Sequence, residues 1–397
     1  MSNRIRFLSA HYVYPVSSPP LKNGIVCVDD DGCIVDVIDT GGKLEEHEKL
    51  EFYNGILVPG FVNAHCHLEL SHLRGVMAPN TGLPDFISSI GKLRKTMDEK
   101  ILSAAKAADS EMFKNGIVAV GDISNNACTL PVKRDSSIWY RTFVELFGLD
   151  DNRSEEIFTA AKQIEQEYRC AEMPVSIVPH ASYSVSQALW EMLQQSYTSS
   201  SPQVISMHHH ECSDELNVFW EGKGELANAL RKNGLLTGAK PENQQGGRKV
   251  EPLPETINLL VHNTFSSKDD ICKYTKHLKQ IYFVLCPGSN LFIQNRLPDL
   301  QLFSSQELYQ NVCLGTDSLA SNTRLSILEE MKIIQHYAPD IPLEMLLQWA
   351  TINGARALGF DHLLGSFEKN KKPGVNLITG IDFEKMSLST ETEVEAL

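Results

Sequence analysis

Eight short apolar runs, each followed by a stretch of helical periodicity, constrain this chain more than any other feature. In order they are ILVPGFVNAH (56–65), GIVAVGD (116–122), IWYRTFVEL (138–146), PVSIVPH (174–180), PQVISMH (202–208), TINLLVH (256–262), IYFVLCP (281–287) and NVCLGTD (311–317). Helices are expected through KLRKTMDEKILSAAKAADSEMFKN with a stop at Gly116, and from Ser184 with Gln187 in the capping-box position. Others are expected through SKDDICKYTKHLKQ and TRLSILEEMKIIQHY, and from Pro342 to Gly359. Strand followed by helix, eight times over, predicts an α/β fold: a closed (β/α)8 TIM barrel whose chemistry sits at the C-terminal strand ends.

Both ends of the chain differ from this pattern. Residues 1–56 carry short strand signals (NRIRFLSAHYVYP, GIVCVDDDG, CIVDVID) with Gly, Pro and Asp turns, and VNLIT follows the last helix. A small β-sandwich domain built from both termini, 1–56 and 366–397, is therefore expected beside a catalytic barrel over 57–365. The polar segment 237–255 reads as a long loop.

A formal charge of −14, with no block of Lys or Arg, offers no footprint for nucleic acid or an anionic membrane. The nine cysteines form no CxxC pair and suit reduced thiols in a cytoplasmic setting. No run approaches the apolar length of a membrane span, so the expected partner is a small molecule, with a homodimer left open.

The residues that close the expected strands are His65 and His67, Asp122, Glu145, His180, His208, His262, Cys286 and Asp317. Five of only 13 histidines fall at or just past these ends, although apolar residues fill the strand bodies. On a strand, residues i and i+2 share a face, so the pair in HCH converges on one point and suggests a shared metal ion.

Taken together, PGFVNAHCHLELS, PHASYSVS, SMHHHE, LVHNTF, CPGSN and LGTDSLASN resemble the amidohydrolase superfamily, and within it the branch of aromatic deaminases and chlorohydrolases that act on guanine, S-adenosylhomocysteine or aminofutalosine. The closing TINGARALGF…GSFEKNKKPGVNLI is similar to that family's end, with Asn376 in place of its usual Asp. The resemblance implies ligation of one divalent metal, zinc or iron, by His65, His67, His208 and Asp317, and acid/base or hydrogen-bonding roles for Glu211, His262 and Asp317. Three imidazoles and a carboxylate suit a catalytic site of a borderline metal. In HHHE strand alternation alone allows either His208 or His210 as the ligand; the family's His-x-x-Glu pattern is matched only with His208, which leaves His209 to face outward and His210 to reach the pocket rim, with ligation by His210 as the alternative. No lysine stands at the fourth strand end to bridge a second metal.

The implied reaction is hydrolysis of a C–N bond outside peptides, most simply the deamination of an aminated nitrogen heterocycle, purine or nucleoside-like. Asp317 would take a proton from water, His262 orient the nucleophile, and protonated Glu211 donate to a ring nitrogen. Glu145, His180 and His210 are expected to contact substrate, under a lid formed by LELSHLRGVMAPNTGLPDFI. Where adenosyl-type deaminases carry Trp-Leu, this chain has Phe86 and Ile87. A cyclic amidase or imidazolone-type hydrolase and a non-catalytic binding protein of the same fold are the rival expectations. The PCxxC signature of a different deaminase fold is missing.

Overall fold

The computed structural model describes residues 4–44, 49–197, 203–236, 256–278 and 280–397. Its strands are β1 (Ile5–Val13), β2 (Leu21–Lys22), β3 (Ile25–Asp29), β4 (Ile34–Ile38), β5 (Leu50–Pro59), β6 (Phe61–Cys66), β7 (Ile117–Ser124), β8 (Trp139–Leu146), β9 (Val175–Pro179), β10 (Val204–His209), β11 (Ile257–His262), β12 (Ile281–Leu285), β13 (Val312–Leu314), β14 (Val375–Thr379) and β15 (Glu393–Ala396). Strands β6–β9 form one parallel four-stranded sheet and β10–β13 another, with helices between successive strands. Isolated parallel bridges, Ala181 to His208 and Cys66 to Asp317, join the two sheets at both seams. At the same seams His208 N donates to His180 O at 2.8 Å, and the amides of Thr316 and Asp317 donate to His65 O at 3.1 Å.

Period-two alternation sorts the strand side chains into two cores. Leu260 of β11, Phe283 of β12 and Val312 and Leu314 of β13 pack with the surrounding helices. Leu259, Val261, Val284 and Cys313 join Ala64, Ala119, Phe143, Val178 and Ile205 in a second cluster that draws on all eight strands and includes Ala355 and Leu358. Burial on both faces explains why these strands read as unbroken apolar runs.

The structure corrects several expected elements. The run 56–65 is two strands: β5 pairs with β1 and β14, and β6 begins the parallel sheet. They part at Gly60, where a Cβ would lie 2.3 Å from Val118 Cγ1 and 2.6 Å from Pro373 O, a clearance only glycine allows. The long helix ahead of Gly116 is two helices, Gly82–Leu93 and Asp98–Lys114. The helix placed at Ser184 starts after Ser186, whose side chain accepts from Leu189 N. Ser184 instead accepts from Ala181 N in the preceding turn, a local bond that competes with helix initiation. The last expected helix is interrupted at Thr351. The expected loop 237–255 lies outside the described residues.

Strands from both termini form one seven-stranded sheet, in the order β15-β14-β5-β1-β3-β4 with β2 on β1, where two facing sheets were expected. Its apolar face gathers Leu8, Val26, Ile34, Leu57, Phe367 and Leu377. Asn376 donates to Gly116 O at 2.9 Å, which ties this sheet to the turn ahead of β7.

Asp122, at the end of β7, is fully buried and pairs with the equally buried Lys133 at 2.5 Å. The Lys133 ammonium also donates to Ser124 Oγ, Thr142 Oγ1 and Tyr168 Oη, and Asp122 Oδ1 accepts Leu68 N at 2.7 Å, just after His67. Lys133→Met strands a carboxylate in the core, so it should destabilise the folded protein by about 3–5 kcal/mol in denaturant titration. A change below about 1 kcal/mol would contradict this assignment of the pair.

Candidate active site

His65 is the penultimate residue of β6 and His67 follows that strand, His208 is the penultimate residue of β10, and Asp317 lies three residues after β13. Asp317 and His262 have φ of +56° and +76°, in the sparsely populated left-handed region, a form of strain that clusters at functional sites. Nε2 of His67 lies 3.1 Å from His65 Nε2, 3.3 Å from His208 Nε2 and 3.4 Å from Asp317 Oδ1, while His65 Nε2 is 3.7 Å from Asp317 Oδ1. A tetrahedral ion with bonds of about 2.0–2.1 Å sets its ligands roughly 3.3 Å apart, and these four separations are of that size.

The remaining atoms of these side chains are already committed in ways that leave the cage atoms available. His208 Nδ1 donates to His180 O at 3.0 Å, which leaves Nε2 with its lone pair. Asp317 Oδ2 accepts from Ser289 Oγ and Ser321 Oγ, each at 2.6 Å, which leaves Oδ1 for the cage. Burial pushes the His65 imidazole well below its ordinary range and His67 down to about 4, so both rings are neutral and have a lone pair to offer. Burial opposes ionisation of Asp317, but His67, His262 and the two serine hydroxyls outweigh it and hold the carboxylate below its usual range. Donor chemistry and spacing thus fit a divalent metal.

Beyond the cage stand Glu211 and His262. His262 Nδ1–H donates to Asn290 Oδ1 at 2.9 Å, which turns its unprotonated Nε2 toward Glu211 Oε1, 3.7 Å away. Burial, with the Asp317 and Glu145 charges adding to it against His208, pushes Glu211 up to about 7. The loop that presents Glu211 is pinned by buried Glu215, which accepts the amides of His210, Glu211 and Cys212 at 2.6–3.1 Å.

These groups open onto a cavity of about 430 Å³. One wall is apolar, with Leu83, Phe86, Ile87, Ile90 and Phe147; the other carries Glu145, His180, Tyr183, Asn125 and Arg94. Glu145 Oε2 accepts from Asn125 Nδ2 at 3.0 Å, and its Oε1 lies 3.6 Å from His208 Nδ1. His180 Nδ1 bonds Ser184 Oγ at 2.8 Å, and burial keeps the ring neutral.

Residues 56–390 match the amidohydrolase family. The chain belongs to it. This amidohydrolase is 26% identical over 342 residues to an adenosine deaminase of Helicobacter pylori, covering 83% of this chain and 81% of that one. It is 26% identical to a 5-methylthioadenosine/S-adenosylhomocysteine deaminase of Saccharophagus degradans, over 96% of this chain and 83% of the relative. Among solved structures, Helicobacter pylori aminofutalosine deaminase in complex with methylthio-coformycin superposes with a TM-score of 0.76 at 23% identity, over 96% of this chain and 94% of that one. An adenosine deaminase from Xanthomonas campestris with bound zinc gives 0.68 at 23% identity, over 96% and 86%.

In this amidohydrolase the structure brings together His65, His67, His208, Asp317, Glu211, His262, Glu145 and His180. His210, expected at the rim, lies elsewhere: it stacks on His209 with ring centroids 3.9 Å apart, and its Nδ1 is 3.1 Å from Ser266 Oγ. Its φ of +47° turns it away from the strand alternation that placed it in the pocket. His209 faces outward as expected, toward Asn263 and Tyr274. Asp122 belongs to the ion pair with Lys133, and Cys286 precedes a helix, Pro287–Gln294. Sequence reasoning missed Ser289 and Asn290, whose partners Asp317 and His262 are each 28 residues away, and Ser321, which bonds Asp317 from four residues on, although both lie in the motifs CPGSN and LGTDSLASN. It also missed Arg94, Asn125 and Tyr183. No helix among the described residues is long and apolar enough to cross a membrane.

Proposed function

We propose that this amidohydrolase holds one divalent metal ion, zinc or iron, on His65, His67, His208 and Asp317 and deaminates an amino-substituted purine, free or as a nucleoside. The eight parallel strands would then be a closed (β/α)8 barrel over 57–365, and the terminal sheet its non-catalytic flank. The observation that carries the reading is Glu211: a buried acid outside the ligand set, with a pKa near 7, facing His262 across the floor of a nucleoside-sized cavity. Adenosine- and aminofutalosine-type deaminases among the relatives support the same substrate class.

When bound, the ion supplies Lewis acidity that makes water a usable nucleophile near neutral pH. Asp317 accepts the proton of that water. His262, its ring fixed by Asn290, accepts a hydrogen bond from the nucleophile and aims it at the amino-bearing ring carbon. Glu211, protonated, donates to the adjacent ring nitrogen as negative charge builds there; then Asp317 returns its proton to the departing amine, the added hydroxyl passes its proton back to Glu211 as it becomes the carbonyl, and ammonia leaves. The cavity walls exclude bulk water.

The test is ammonia release from a panel of adenosine, 5′-deoxyadenosine, 5-methylthioadenosine, S-adenosylhomocysteine, aminodeoxyfutalosine and guanine, with elemental analysis of the same preparation. The expected result is turnover of at least one member and about one metal equivalent per chain. Ring-opened product without ammonia would favour a cyclic amidase, and two equivalents with activity tracking the second would sink the single-metal site.

A further inference from the structure

The helix Ile327–Tyr337 turns a stripe to the core that reads Ile327, Glu330, Met331 and Ile334, at i, i+3, i+4 and i+7. Three of these are apolar, and the fourth is a carboxylate only 1% exposed. Among the described residues Glu330 has two partners and both are N–H donors: Oε2 accepts Gly288 N and Oε1 accepts Asn322 Nδ2, each at 2.7 Å. Burying a carboxylate with no cation beside it is costly, so its place in an apolar stripe calls for a reason beyond packing.

Both partners lead to the catalytic site. Gly288 precedes Ser289, whose hydroxyl donates to Asp317 Oδ2 at 2.6 Å, and Asn290, whose Oδ1 accepts from His262 Nδ1 at 2.9 Å. Asn322 follows Ser321, the second donor to Asp317 Oδ2 at 2.6 Å, and Asn322 Nδ2 also donates to the carbonyl of Thr316, just before Asp317, at 2.9 Å. Glu330 therefore clasps the segment after β12 to the segment after β13, and each segment holds Asp317. The fit is close: a Cβ on Gly288 would lie 2.7 Å from Asn322 Nδ2 and 2.8 Å from Glu330 Oε1. What the clasp holds is strained. Asp317 has a φ of +56°, a conformation that persists only where the surroundings over-determine it.

We infer that Glu330 is a positioning residue, which acts through Gly288 and Asn322 to aim Asp317 Oδ1 into the metal cage and to set the ring of His262. Asp317 Oδ2 is tied by Ser289 and Ser321, so the direction of Oδ1 follows from where those two hydroxyls stand, and the clasp sets their separation. Glu330 itself bonds to no residue of the cage. The inference rests on the metal-dependent deaminase reading and adds the residue that keeps its proton carrier in place.

The experiment reads the zinc affinity of the metal-free chain by chelator competition, then kcat and KM at saturating zinc on adenosine and the other members of the panel. Glu330→Gln keeps the size of the side chain but turns an N–H donor toward one of the two N–H donors it meets. It should weaken zinc binding by about 10-fold and lower kcat by about 10-fold, with KM within about twofold, the scale of a lost outer partner. Gly288→Ala removes no hydrogen-bonding group and only forces the clasp apart; it should give the same losses, and it carries the test if Glu330→Gln does not fold. Glu329→Gln, half-exposed and paired with Lys332, should leave all three values unchanged. With Ser289→Ala and Ser321→Ala both in place the arms no longer reach Asp317, so adding Glu330→Gln should cost zinc affinity about twofold or less, whereas independent effects would multiply. A full loss of about 10-fold in that background overturns the inference. So does a Glu330→Gln chain with a lowered unfolding midpoint but wild-type zinc affinity and kcat, and the deaminase reading stands in either case. Zinc affinities that follow the expected pattern, with no ammonia from any compound, support the clasp and overturn the deaminase reading. A wild-type chain that binds no zinc overturns both.

Discussion

Glu211→Gln should lose about 10²–10⁴ in kcat and keep its metal, because the substitution preserves size and hydrogen bonding but removes the proton that the ring nitrogen needs. Glu211 lies outside the ligand cage and touches His262, so the loss should leave metal content and KM close to wild type. The backbone amide of Glu211 is held by Glu215 whatever its own side chain, so the loop should not move. A pH profile adds a second reading. Burial has pushed Glu211 up to about 7, and its acid form disappears as pH rises through that value, so wild-type kcat should fall on the alkaline side. The Gln variant should lack that limb. A metal-free variant, or one that is metal-loaded and fully active, contradicts the role given to Glu211.

Asp317→Asn is expected to fail in two ways at once. The carboxylate contributes the only negative charge to the cage, so its replacement should lower metal occupancy after dialysis. It is also the group proposed to carry the proton from water to the leaving amine, so turnover should drop by about 10³ or more. The two effects separate on refilling: excess zinc should restore occupancy and leave the rate low. Ser289 and Ser321 can still bond an amide at Oδ2's position, so the Asn variant should unfold at the same denaturant concentration as the metal-free wild type. An Asn variant that regains the wild-type rate with metal would show that another group moves the proton.

The two variants probe residues that differed in how readable they were. His65 and His67 are legible because a strand's two-residue period brings them to one face, and His208 because a short spacing to Glu211 selects it. His210 was misplaced by that same rule: alternation holds only while the strand continues, and the chain turns into the left-handed region at this residue. Asp122 had the right position and type for a site residue, but its partner Lys133 sits on the short helix that follows β7, and nothing in the local sequence announces a buried amine. Ser289 and Ser321 orient Asp317 from 28 residues before it and 4 after it.

Apolar periodicity and turn residues alone determined the succession of strands and helices, because burial on one or both faces is written locally as period two or a continuous run. The strand-end residues that converge were determined at the same level, since the parallel strands β6–β13 run in one direction and end at the same face of the fold. Only the tertiary structure decided the rest. Gly60 divides one apolar run between two sheets because Val118 and Pro373 leave no room for a Cβ. The helix ahead of Gly116 is interrupted between Leu93 and Asp98 although its residues favour continuation, and Arg94 at the break donates to Glu69 and Asn125. The pKa of Glu211 is likewise a property of its surroundings: the same carboxylate in water would ionise near 4.5, and it is enclosure beside Asp317 and Glu145 that keeps its proton available. Such effects depend on which groups meet in space and how little water remains between them, and neither quantity is carried by neighbours in the chain.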